Sequence, residues 1–128
     1  MQYIIMFLIV LGLAFADFAT GYIKARCKDE VSSKALRIGG LHKASELTVM
    51  AAAIGLTVGL DMLGQYYDDT RLASLAGLFT AVSVFVYIVT MELISIVENF
   101  AEITPEAAWA RKVIARLKKY ETEGEEND

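Results

Sequence analysis

Three long apolar blocks dominate the chain: Tyr3 to Ile23, Leu47 to Leu63 and Leu72 to Val97. Most charged residues lie between and after them. A helix crossing the bilayer needs about 20 mostly apolar residues at roughly 1.5 Å rise each, and all three blocks approach or reach that length. The pattern therefore predicts an all-α membrane protein with spans at about 3–23, 47–63 and 72–97. The soluble alternative is a bundle of fully buried helices. A chain of 128 residues is too small to surround three such helices on every side.

The basic residues give these spans a direction. None precedes the first block, and six (Lys24, Arg26, Lys28, Lys34, Arg37 and Lys43) fall between the first and second. The second connection, "GQYYDDTR", carries only Arg71 against Asp68 and Asp69, and a further basic group follows the third block. The excess of Lys and Arg on the cytoplasmic side places the N-terminus outside, segment 24–46 in a basic cytoplasmic loop, and the C-terminus inside. Within that loop, Ser32 or Ser33 is placed to cap a short helix through "KALRI", which Gly39-Gly40 would interrupt before the second span. The second connection is short enough to make the second and third helices an antiparallel hairpin. "AFA" ahead of Asp17 has the form of a signal cleavage site, but no basic residue comes before the apolar run, so an uncleaved first span is expected.

Beyond the spans, Thr104-Pro105-Glu106 reads as a helix start, with a hydroxyl cap, proline at the first helical position and an acid in the first turn. Over 104–120, Trp109, Val113, Leu117 and Tyr120 share one face, and Arg111, Lys112, Arg116, Lys118 and Lys119 occupy the other or its edge. Such an amphipathic helix suits either the inner membrane surface or packing within an oligomer. The formal net charge of −4 is misleading, because five acids belong to the terminal "ETEGEEND" at 121–128, a polar tail.

Candidate chemistry is sparse. With one cysteine, Cys27, and one histidine, His42, no intrachain disulfide and no metal site is expected. No phosphate loop or nucleophile motif is present, so the reading is of a non-enzyme without a cofactor. The basic segment lacks the interleaved aromatics of a nucleic-acid binder, and no nucleic-acid partner is expected.

Two features stand out instead. Acids at Asp17, Asp61, Glu92 and Glu98 lie within or at the edge of the spans, where ionised groups are costly. Glu102 follows Glu98 at the inner boundary. These acids either line a polar path or hydrogen-bond helices of neighbouring chains together, or they simply reach headgroup water or pair with Lys24 and Lys43. The three spans themselves contain no Lys or Arg, which argues against a buried ion-pair relay. Small residues also repeat every four positions, at Ala51, Gly55 and Gly59 and at Ala73, Gly77 and Ala81. Such seams let helix backbones approach, within the hairpin, between chains, or both.

These elements resemble the small phage holins of the toxin-secretion and phage-lysis type. The first half carries "DFATGYIKA", then "SS", Gly40 and "HK"; the second carries "LD" at Leu60-Asp61 and "MELISIVENF" from Met91 to Phe100, followed by Pro105 and a last helix. Asp17, Thr20, Gly21, Lys24, Lys43, Asp61, Glu92, Ser95, Glu98, Asn99 and Pro105 match the family pattern one by one. His42 departs from it, standing where a second lysine is common, and no glycine precedes Pro105. The resemblance implies a multi-pass protein of the bacterial cytoplasmic membrane that forms homo-oligomers and permeabilises the bilayer. A cell-wall hydrolase or a large toxin would then pass. A membrane scaffold recruiting a cytoplasmic partner, or a small ion channel, would share the same topology.

The orientation makes Cys27 cytoplasmic. A membrane-impermeant thiol reagent is expected to leave Cys27 unlabelled in intact cells and to label it after permeabilisation. Labelling of intact cells would reverse the assigned topology.

Overall fold

The computed structural model describes residues 1–67, 70–104, 106, 107, 109 and 112–116. It contains three long helices: α1 (Gln2–Cys27), α2 (Ser33–Tyr66) and α3 (Thr70–Ile103). Each is long and apolar enough to cross a membrane. Only 17%, 22% and 17% of their most apolar stretches are buried within the chain. The remaining apolar surface, including Phe15, Leu56, Phe79 and Tyr87, faces outward, as lipid contact requires.

Both connections are tighter than charge patterning suggests. α1 ends where Asp29 takes a left-handed conformation (φ 53°), a position more often filled by glycine and tolerated by Asp. The Glu30 N–H then donates back to the Ala25 carbonyl at 2.9 Å, closing the end of the helix. Ser32 opens α2 in extended conformation, its hydroxyl accepting from the Ala35 N–H. The segment read as a 24–46 loop is thus helical except for residues 28–32. Gly39-Gly40 do not interrupt α2, which runs through them for 34 residues. Each glycine weakens a helix by only about 1 kcal/mol, and packing of Phe18 3.8 Å from the Cβ position of Gly39 helps to hold the segment in place.

At about 1.5 Å per residue, α2 and α3 are each about 50 Å long, against about 30 Å of hydrocarbon. Their polar ends therefore extend beyond the apolar layer or the helices tilt.

The hairpin of α2 and α3 packs closely. Met50, Ala53 and Thr57 of α2 are buried against α3 residues that include Gly77, Ala81 and Ile88. Thr57 stands over Gly77, and its hydroxyl proton has two acceptors within reach, Gly77 O at 2.7 Å and Ala53 O at 2.8 Å. A Cβ on Gly77 would meet Thr57 Cα and Cγ2 at 3.0 Å, so a side chain there would push the two backbones apart by a few tenths of an ångström or more. A third contact joins α1, through a buried cluster of Val10, Met50 and Ile88.

The two small-residue seams do not face each other. Gly77 and Ala81 are buried in the hairpin, whereas Ala51 and Gly55 are exposed and nothing lies within 4 Å of the Cβ position of Gly55 or Gly59. Gly55 precedes Thr57 by two residues, about 200° around the helix, which turns it away from α3.

After Thr104 the chain turns, and 112–116 are helical. Ile114 packs against Ala101, Ala107 and Val97, while Trp109 and Val113 remain exposed. Lys112 and Arg116 are exposed on this short piece. Pro105, Arg111, Lys118, Lys119 and the acidic tail lie outside the described residues.

Substituting Gly77 tests the hairpin. Gly77→Val is expected to cost about 1–3 kcal/mol through overpacking and to lower the thermal midpoint in detergent, whereas Gly55→Ala should be silent. Equal behaviour of the two variants would contradict the close approach at Thr57.

Candidate functional site: a polar cluster joining three helices

Sequence places Lys43 outside the spans, in a loop. Because α2 extends back to Ser33, Lys43 is instead helical and points into the bundle. Asp17 lies ten residues from the end of α1, Lys43 ten from the start of α2, and Glu92 eleven from the end of α3. At 1.5 Å per residue all three fall about 15 Å from their helix ends, which brings them to one level.

There they meet. Lys43 Nζ is 2.7 Å from Asp17 Oδ2 and 2.8 Å from Glu92 Oε2, with Glu46 Oε2 at 3.3 Å. An ammonium has three donors, and here it is surrounded by three carboxylates. Asp17 is 7% exposed and Glu92 1%. The second oxygen of Asp17 accepts from Asn99 Nδ2 at 3.0 Å, and the same amide is 3.3 Å from Thr20 Oγ1. Thr20 in turn donates to the Asp17 carbonyl at 3.0 Å. Gly21 leaves the room for this: its Cβ position is 3.5 Å from the Asn99 amide nitrogen. Glu92 Oε1 is buried with no hydrogen-bond partner among the described residues.

A second, exposed group closes the ends of α1 and α3. Glu102 pairs with Lys24 at 3.4 Å and with Lys28. The hydrogen bond that Lys28 donates to the Glu102 carboxylate raises the Lys28 pKa above its ordinary value.

Of the acids singled out in sequence, Asp17 and Glu92 come together on Lys43, one of the two lysines that the sequence offered as their partners. The lysine of this buried ion-pair network comes from outside the apolar block. Lys24 pairs with Glu102 and not with Asp17. Asp61 stays apart, half-buried toward the other end of α2, with one oxygen buried and unpartnered among the described residues. Glu98 and Ser95 are half-buried on α3. Glu46 was not singled out by sequence reasoning. Spacing gives one clue, since Glu46 lies one turn beyond His42 and Lys43 on the same face, and it is 3.4 Å from His42.

A model of the bacteriophage holin family matches residues 1–119. The chain belongs to that family. Searches of curated proteins and of solved structures gave no match. This holin is a multi-pass protein of the bacterial cytoplasmic membrane, with three helices able to span it. The polar cluster lies inside its helical bundle, and each helix contributes to it.

Removing the central cation tests how far the bundle depends on it. Lys43→Met leaves Asp17 and Glu92 buried without their counter-ion, and losing one member of a buried pair costs about 3–5 kcal/mol. A lower thermal midpoint in detergent and a reduced membrane level are expected, with Lys43→Arg retaining more of both. A Lys43→Met protein as stable as the parent would show that the cluster carries little of the fold.

Proposed function

We propose that this holin permeabilises the cytoplasmic membrane by assembling copies of itself into a pore or lesion, through which a cell-wall hydrolase or a large toxin passes. The observation that carries the reading is the Lys43 cluster in a holin-family chain. It supplies charged and hydrogen-bonding groups from all three helices, the material from which a water-filled path is built. Holins act on the bilayer itself, and the reading assigns no catalytic step and no cofactor.

The seam of Ala51, Gly55 and Gly59 is the proposed contact between copies. It leaves α2 able to approach a neighbouring helix closely, and close backbone approach drives association where lipid removes the hydrophobic advantage. The proposed orientation has the N-terminus outside and the C-terminus inside, with Lys24, Arg26, Lys28, Lys34 and Arg37 on the cytoplasmic side. In this arrangement the terminal basic residues, Arg111, Lys112, Arg116, Lys118 and Lys119, lie near the anionic inner leaflet or the oligomer.

Inducible expression of the chain alone in a bacterium tests the proposal, with a potential-sensitive dye as readout. Abrupt loss of membrane potential after a delay is expected. Gly55→Leu should reach the membrane at parental level, give weaker cross-linked oligomers and delay or abolish that loss, while Val58→Leu should match the parent. Unchanged potential together with a co-purifying cytoplasmic partner would favour a scaffold. A graded, ion-selective current would favour a channel.

A further inference from the structure

The three helices are not joined equally. α2 and α3 meet at backbone contact, with Thr57 Oγ1 2.7 Å from Gly77 O and the Cβ position of Gly77 only 3.0 Å from Thr57 Cα. A groove of about 340 Å³ between them is confined to the loop end of the hairpin, beside Leu60 and Leu72. The seam between α1 and α2 is different. Open grooves of about 340, 230 and 260 Å³ follow one another along it, beside Phe7 and Ile54, then Phe15 and Leu47, then Tyr22 and Leu36. α1 is held elsewhere, by the Val10–Met50–Ile88 cluster and by its polar contacts.

In a bilayer these two kinds of contact count differently. Apolar side chains exchange helix for lipid at little cost, so the Val10 cluster gives α1 no strong reason to stay. Asp17 and Thr20 have no such exchange, since hydrocarbon offers them no partner. The attachment of α1 therefore rests on Asp17 with Lys43 and Asn99, and on Lys24 and Lys28 with Glu102.

We propose that this attachment is an autoinhibitory clasp. In the closed protomer α1 hides the polar groups of the hairpin and they hide its own, so that the outer surface is apolar and lipid-compatible. Permeabilisation requires α1 to leave the rigid α2–α3 hairpin. Asp17 and Thr20 on one side, and Lys43, Glu92 and Asn99 on the other, then exchange each other for the water of the lesion. The inference rests on the permeabilising function proposed above and adds its control.

A covalent tether tests it. Asn99 Nδ2 is 3.5 Å from the Cβ position of Gly21, so the two positions face each other, and closure of a disulfide between thiols placed there is verified by its gel shift before the assay. The full chain carrying Cys27→Ser, Gly21→Cys and Asn99→Cys is reconstituted into liposomes holding a trapped fluorophore. The oxidised form is expected to release it at least tenfold more slowly than the same protein after reduction. As a second variant, Glu102→Gln removes exposed ion pairs that contribute little to folding; it should release the fluorophore at least twofold faster than the parent. Equal release by oxidised and reduced forms, or parental release by Glu102→Gln, would overturn the clasp while leaving the permeabilising function intact. A parent chain that releases nothing at any density would sink both.

Discussion

An ammonium group inside a bundle of membrane helices must be neutralised where it stands. Lys43 meets that constraint with carboxylates from α1, α2 and α3, and the arrangement of the protein follows from it. Asp17 and Glu92 have to lie at the level of Lys43, which fixes the vertical register of all three helices. Asn99 and Thr20 then satisfy what remains of Asp17. Apolar contacts in lipid have no comparable power to set register, because sliding one apolar face along another changes little.

The fold combines two modes of helix association. The α2–α3 hairpin uses small residues and close backbone approach, with Gly77 allowing Thr57 to bond across the interface. This contact is dense and short-ranged. The polar attachment of α1 is electrostatic, concentrated toward its C-terminal end and bordered by open grooves. A chain whose polar groups neutralise each other internally presents a mostly apolar surface along its spans, as lipid contact requires.

The same division separates the two small-residue seams. Gly77 and Ala81 are consumed within the protomer, whereas Ala51 and Gly55 remain on its surface. One seam thus builds the hairpin, while Ala51 and Gly55 of the other lie in an open groove beside Tyr3 and Phe7 of α1.

Sequence by itself determined the membrane class, the number of long helices and the family resemblance, because a span needs a long apolar run and few other structures produce one. It also singled out Asp17 and Glu92, since an acid within an apolar block is conspicuous. It misplaced Lys43, because charge patterning treats a lysine outside an apolar block as loop or interface. Only the helical path through Gly39-Gly40 turns Lys43 into the bundle. Glu46, and the partners of Glu102, were illegible for a related reason: amid other polar residues, an acid carries no local sign of its partner. Which small-residue seam closes the hairpin was likewise undetermined, as both have the same period of four. Tertiary structure decided it through the rotation of α2, which sets Thr57 against Gly77 and turns Gly55 to the outside.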